Sequence, residues 1–206
     1  MSHSDLPKWK TTSSKYLVKD RWITLRADSC ITPAGHTIEP YYVLELPDWA
    51  SCFVIDENPN AIMINNYRQG AGEYVTEFVS GGIEPNDSSA TEGMRRELEE
   101  EIGYTGGQIH KVGVSYANPG NQTNKLHSFF AFGGAITQEH RREKGETMET
   151  VRLPLREAVA MLQDANSGTM YQSMHLATLF MALNFIKQSD IAELQEIKDA
   201  LEEERW

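Results

Sequence analysis

The stretch GIEPNDSSATEGMRRELEEEIGY, residues 82–104, constrains the fold more than any other part of the chain. Ser89, with Glu92 three residues later, reads as a capping box that opens a helix. Gly103 reads as the left-handed residue that closes it. A helix over residues 90–101 follows. On it Glu97, Glu100 and Glu101 fall at i, i+3 and i+4 and share one face. No lysine or arginine falls on that face in this reading, so like charges converge without a cation of their own. Such a cluster is stable mainly when it holds a cation. An all-oxygen donor set suits a hard divalent ion such as magnesium. Magnesium keeps several waters and reaches for phosphate, which points to a pyrophosphate substrate. The competing reading is an ordinary solvated acidic face. The flanks weigh against it. The strand-like Tyr74–Val79 and the loop Ser80-Gly81-Gly82 press the helix against a sheet, which is a scaffold for a site.

The rest of the chain reads as strands with few helices. Residues 1–14 are polar and expected to fray. Tyr16–Ile31 alternates in strand fashion, Pro33-Ala34-Gly35-His36 turns, and Thr37–Leu46 returns. This is an antiparallel β-hairpin subdomain over residues 1–47, ahead of a main domain over 48–206. Strands are expected at Trp49–Asp56, Ala61–Tyr67, Glu73–Val79, Gln108–Tyr116, Lys125–Phe132 and Thr150–Leu153. Amphipathic helices are expected at Leu155–Gln163 and Met174–Lys187, with an acidic one at Asp190–Glu204. The fold class is α+β, an α/β/α sandwich built on a mixed sheet.

A chain of 206 residues with 40% hydrophobic content can bury a full core. Its formal net charge of −11 argues against nucleic acid as partner. It does not argue against a small phosphate ligand, because a bound metal reverses the local sign. Cys30 and Cys52 make neither a disulfide framework nor a zinc site. No apolar stretch approaches the ~18 residues of a membrane span, and no signal peptide is visible. The expected location is cytoplasmic, with no membrane partner. His110, His127 and His175 read as surface or packing histidines.

The acidic segment resembles the Nudix box: Gly, five residues, Glu, seven residues, then Arg-Glu-U-x-Glu-Glu-x-Gly-U, with U apolar. Anchored on Gly103, the chain matches at Gly82, Arg96, Glu97, Leu98, Glu100, Glu101 and Gly103. Ser88 stands where the early glutamate belongs; starting at Gly81 instead brings Asp87 near that place. Upstream, Asn66-Tyr67-Arg68-Gln69, Gly72-Glu73-Tyr74 and Glu77-Phe78-Val79-Ser80-Gly81-Gly82-Ile83-Glu84-Pro85 look like the approach to the box in ADP-ribose pyrophosphatases. Downstream, Asn118-Pro119-Gly120 lies where that branch carries a characteristic proline, although Gly120–Asn124 lacks the acidic residue of many relatives.

The resemblance implies a metal-dependent hydrolase of nucleoside diphosphate sugars. Glu97, Glu100 and Glu101 would hold magnesium, or manganese in its place, with a backbone carbonyl near Gly81. Arg96 would orient a carboxylate. Relatives draw a general base from a loop, here about residues 138–150. Glu146 is the first candidate and Glu149 the second. Arg68 would grip the diphosphate through its planar fork. Trp22 and Tyr41, read as lying on neighbouring strands, would stack on the base, and Pro119 would line the substrate loop. Relatives are homodimers whose N-terminal hairpins reach across. ADP-ribose is the expected substrate, yielding AMP and ribose 5-phosphate. GDP-mannose, another nucleotide sugar or a dinucleotide is the alternative. A sensor that binds ADP-ribose without cleaving it fits less well, because the box glutamates are intact.

Overall fold

The computed structural model describes residues 6–137, 148–163 and 172–202. These fall into two compact units, one comprising residues 1–47 with 116–125, the other 48–115 with 126–206.

The first unit is a three-stranded antiparallel sheet, β1 (Lys10–Lys19), β2 (Thr24–Ile31) and β3 (Thr37–Glu45), in the order β1-β2-β3. The residues expected to fray thus include Lys10–Ser14 in a strand. The reason lies in pairing, because Lys10 to Ser14 run opposite Ile31 to Asp28. The single long strand expected over Tyr16–Ile31 is broken by a turn. Asp20 Oδ1 accepts from the backbone N–H groups of Trp22 and Ile23 at 2.7 and 2.8 Å. An aspartate that bonds its own downstream backbone this way competes with strand pairing. Trp22 therefore sits in the turn and not on a strand beside Tyr41, as the sequence had suggested. The loop 116–125 belongs to the same unit. Leu44 donates to Asn121 O at 2.8 Å and accepts from Thr123 N at 3.1 Å.

The second unit is an eight-stranded mixed sheet. Its strands are β4 (Trp49–Asp56), β5 (Asn60–Arg68), β6 (Glu73–Glu77), β7 (Val79–Gly82), β8 (Tyr104–Thr105), β9 (Gln108–Tyr116), β10 (Lys125–Ile136) and β11 (Met148–Pro154). The main path runs β11-β5-β4-β10-β8, with β6 on β5, β7 on β4 and β9 on β10. Strands β4 and β10 are parallel, whereas β4 with β5 and β5 with β11 are antiparallel. The helices are α1 (Ala90–Ile102), α2 (Leu155–Gln163), α3 (Ser173–Gln188) and α4 (Gln195–Glu202). A short 3₁₀ turn, Ala192–Leu194, takes the start of the helix expected from Asp190.

Period-two alternation explains the layers. Cys52 and Val54 face one side with Ile62, Ile64 and Phe129, and there Met94, Leu98 and Ile102 of α1 cover them. Phe53 and Ile55 face the other with Met63, Phe78 and Phe130, covered by Leu155, Val159, Leu179, Ile186 and Ile197. Strands buried on both faces read as continuous apolar runs, which is what β4 and β10 show. The α/β/α sandwich expected from the sequence is the fold observed.

One detail positions the site. The expected strand Glu73–Val79 changes partner at Phe78. Residues up to Glu77 pair with β5, while Val79–Gly82 pair with β4, Gly81 opposite Ala50. The expected loop Ser80-Gly81-Gly82 is therefore a strand directly beneath α1.

Candidate active site

Helix α1 begins and ends where its capping residues dictate. Ser89 is extended, and its hydroxyl accepts from Glu92 N at 3.2 Å. Gly103 has φ 64° and returns its N–H to Glu99 and Leu98 carbonyls, a left-handed closure that favours glycine. Met94, Leu98 and Ile102 turn one face into the sheet. That fixes Glu97 and Glu100 at its margin, with Glu101 buried.

Gly81 of β7 lies against the Glu97 carboxylate. A Cβ there would collide with Glu97 Cδ and both carboxylate oxygens. The backbone thus approaches a carboxylate as only glycine permits.

Arg96 lies at the centre of the cluster. Its Nη1 donates to Glu97 Oε1 at 2.8 Å and Glu100 Oε2 at 3.1 Å. Nε and Nη2 donate to the two oxygens of Asp87 at 3.3 Å each, and Nη2 also to Gly82 O at 3.1 Å. The expectation that the carboxylate face has no cation is therefore corrected. The arginine precedes Glu97 and stands four residues before Glu100, and its side chain is long enough to curl between them. Burial alone would lower the Arg96 pKa, but the Asp87 hydrogen bonds and the Glu97 charge outweigh it and raise it. Those same bonds hold the Asp87 carboxyl below its ordinary value.

Asp87, not Ser88, meets the arginine. Its Oδ2 also accepts from Glu84 N at 2.8 Å, closing the loop before the helix. Gly93 leaves room for it, since a Cβ there would stand 2.7 Å from Asp87 Oδ2.

Glutamates and a backbone carbonyl are hard oxygen donors, the chemistry of a divalent ion. Among the described residues, no three His, Cys, Asp or Glu side chains already converge as a metal site. The carboxylates instead share Arg96, and Gly81 leaves open backbone beside Glu97. The donor chemistry and this glycine cradle fit a hard ion held by Glu97, Glu100, Glu101 and the Gly81 carbonyl.

Arg68 at the end of β5 forms a two-pronged pair with Glu77. Nε lies 3.1 Å from Oε2 and Nη2 2.5 Å from Oε1. Glu77 is fully buried, while the arginine side chain is 37% exposed. Gln172 donates to Glu77 Oε2 at 2.9 Å. Desolvation would raise the Glu77 carboxyl, but His175 and Arg68 together hold it below its ordinary value. Sequence reasoning gave Glu77 and Gln172 no role and read His175 as a surface or packing histidine. The strand alternation that buries Val75 also turns Glu77 inward, and that signal could have found it.

Among the proposed bases, Glu146 lies outside the described residues. Glu149 is exposed on β11, opposite Asn65 of β5, so the loop expected to run to Thr150 ends before Met148. In the first unit Trp22 is 76% exposed, with the Arg21 guanidinium 4.0 Å from its ring centroid. Tyr41 packs edge-on to Trp9 at 5.8 Å and donates to Gly120 O. Pro119 lies in a turn closed by Asn121 N and Gln122 N on Asn118 O.

The site is thus an acidic capped helix laid across a mixed sheet, with the Gly81 backbone against Glu97. A solved structure described as an ADP compounds hydrolase superposes with TM-score 0.75 at 20% identity, covering 88% of this chain and 96% of that one. Residues 46–174 match the NUDIX domain, and the chain belongs to the Nudix family. It is a Nudix pyrophosphohydrolase. Residues 9–44 match the nucleoside diphosphate sugar hydrolase N-terminal domain. The chain is 22% identical to the ADP-ribose pyrophosphatase of Bacillus subtilis (strain 168) over 179 residues, 84% of this chain and 96% of the relative. It is 33% identical to a GDP-mannose pyrophosphatase of Yersinia enterocolitica over 115 residues, 52% of this chain and 59% of the relative. It is 24% identical to the methanol dehydrogenase activator of Bacillus methanolicus over 157 residues, 75% of this chain and 83% of the relative. No helix among the described residues is long and apolar enough to cross a membrane.

Proposed function

We propose that the protein hydrolyses the pyrophosphate bond of ADP-ribose, giving AMP and ribose 5-phosphate, with magnesium as its ion. The observation that carries the site is the approach of Gly81 to the Glu97 carboxylate, beside Glu100 and Glu101. The choice of ADP-ribose rests on the relative of that activity, matched over 96% of its length. The GDP-mannose reading is second. Its relatives are more identical, but over a shorter stretch.

Bound at Glu97, Glu100, Glu101 and the Gly81 carbonyl, the ion would neutralise phosphate charge and lower the pKa of water. The chain supplies the rest. Arg96 fixes the rotamers of Glu97 and Glu100, so the acids need not be ordered when substrate arrives. Arg68 presents to a phosphate the guanidinium edge that Glu77 does not occupy. A glutamate, Glu146 before Glu149, takes the proton of the water whose oxygen attacks phosphorus as the bridging P–O bond breaks. Trp22 offers an indole face to the base. A homodimer in the cytoplasm is part of the same proposal. The exposed Tyr16, Leu17 and Val18 of β1 are apolar surface that a second copy would cover.

The test is a nucleotide-sugar panel with and without EDTA, read by phosphate release after phosphatase treatment. ADP-ribose should give the highest kcat/KM, EDTA should abolish turnover, and magnesium should restore it. Full activity in EDTA would refute the metal reading. A preference for GDP-mannose would move the substrate to the second reading.

A further inference from the structure

Helix α3 carries a polar stripe into an apolar core. Gln172, His175 and Thr178 stand three residues apart and all point at the sheet. Thr178 is satisfied by Ser128, hydroxyl to hydroxyl, at 2.9 Å. Gln172 donates to Glu77. His175 is fully buried, with its Nδ1 3.0 Å from Ser51 Oγ on β4, also fully buried. Its ring stands edge-on to Phe78 at 5.6 Å.

Its other nitrogen is the informative atom. Nε2 is buried with no hydrogen-bond partner among the described residues and lies 3.8 Å from Glu77 Oε2. That is too far for a hydrogen bond and close enough for strong electrostatic coupling in a dry interior. Buried polar atoms are rarely left so, and each one asks for a reason. The sign of this contact depends on the tautomer. A bare Nε2 lone pair facing a carboxylate repels it, whereas an Nε2–H attracts it. The Glu77 carboxylate decides between them, because it can only accept: the proton resides on Nε2, and the Ser51 hydroxyl, which can donate or accept, donates to Nδ1.

The order of contacts is therefore directional. Ser51 holds His175 at Nδ1, His175 and Gln172 face one oxygen of Glu77, and both Glu77 oxygens hold the inner edge of the Arg68 guanidinium. Ser51, His175 and Glu77 are buried, whereas Arg68 reaches solvent. Its guanidinium is paired on its inner side and presented on its outer side, as a phosphate-gripping arginine needs. Glu77 also lies four residues before Gly81, the residue under Glu97. Movement of this buried carboxylate would carry the arginine off its station.

We infer that His175, held at Nδ1 by Ser51, is a positioning residue that fixes Glu77 and through it the Arg68 guanidinium, whose remaining edge the diphosphate of the substrate meets. This rests on the reading of Arg68 given above. His175 touches no substrate. Its contribution should appear in substrate affinity, because a misplaced binding arginine is lost equally from ground state and transition state.

The test compares Arg68→Ala, His175→Gln and the pair combined, in steady-state kinetics on ADP-ribose with magnesium. Arg68→Ala should raise KM by about 10- to 100-fold with little change in kcat, the size of a lost charge-assisted hydrogen bond. His175→Gln should raise KM by about 3- to 10-fold, again sparing kcat. The pair should be no worse than Arg68→Ala alone, because residues acting through one another are not additive. Ser51→Ala supplies a second route, since it removes only a hydroxyl. In ¹⁵N-correlated histidine spectra the wild type should show His175 as the Nε2–H tautomer, and Ser51→Ala should shift that signature and raise KM in parallel. An unchanged KM in both His175→Gln and Ser51→Ala would overturn the inference. So would full additivity with Arg68→Ala, which marks a merely structural residue. A wild type that cleaves no nucleoside diphosphate sugar would instead sink the functional reading. A wild type that does, with an indifferent Arg68→Ala, would remove the arginine from substrate binding and the inference with it.

Discussion

Arg96 cannot be understood one contact at a time. It spends its fork on Asp87, Gly82 O, Glu97 and Glu100 at once. Removing Asp87 would free the arginine to follow the glutamates. The effect should fall on turnover, because the carboxylates would lose their fixed geometry. Asp87→Ala should lower kcat by about 10- to 100-fold. Ser88→Ala, at the position where the family pattern has its acid, should change it by only a few fold. Steady-state kinetics on both variants, with circular dichroism to confirm folding, decides the matter. A large loss in Ser88→Ala with an unaffected Asp87→Ala would reverse the assignment. The sequence left this pair open for a physical reason. Spacing locates a residue along the chain to within one position, and a loop before a helix can direct either of two neighbours at the same guanidinium. Only the bond from Glu84 N and the space above Gly93 choose Asp87.

At the scale of elements, what was legible followed from local chemistry. Ser89 and Gly103 bounded α1 correctly because capping is settled by a few adjacent residues. Strand β4 was legible because an apolar run buried on both faces has no other use in a soluble fold. The turn at Asp20 and the partner change at Phe78 were not legible. The partner change depends on which strand lies alongside, which is long-range information. The turn is local, made by Asp20 accepting from Trp22 N and Ile23 N, but an aspartate within an alternating run does not announce it. Strand alternation could have shown that Glu77 turns inward, but its partner Gln172 lies 95 residues away, beyond local reading. Strand β11 bears on the proposed base. Pairing with β5 fixes Glu149 on an exposed sheet position opposite Asn65, whereas Glu146 precedes the strand. Glu146→Gln should therefore lower kcat by about 10²–10⁴ with KM retained, and Glu149→Gln should have a much smaller effect. Metal titration should show unaltered affinity in both. A normal kcat in Glu146→Gln would pass the role to Glu149, or to the box glutamates with no residue from β11 or the segment before it.

For the whole molecule the question is how a chain of net charge −11 responds to acid. Protonating exposed carboxylates first relieves like-charge repulsion, which favours the folded state. The buried Glu77 acts in the opposite direction. Its folded pKa lies below the ordinary glutamate value, through His175 and Arg68 against the cost of burial. A depressed carboxylate stabilises the fold fully above its unfolded pKa of about 4.3, and that stability is lost as pH falls through the folded value. Asp87 has the same sign. At still lower pH the 19 lysines and arginines and 6 histidines are left without counter-charge, so repulsion returns with the opposite sign. Stability should hold down to about pH 5 and fall steeply below about pH 4. Glu77→Gln isolates the buried term. At pH 7 it should cost about 2 kcal/mol, less than a fully buried broken pair because Arg68 can turn to water. At pH 3 the gap should be smaller than at pH 7, because below about 4.3 the unfolded chain takes up a proton at Glu77 that the folded carboxylate resists. Urea unfolding at both pH values measures this difference. A gap that stays constant or widens toward pH 3 would mean that Glu77 stabilises the fold by packing and not by its charge, and the buried pair with Arg68 would lose its electrostatic meaning.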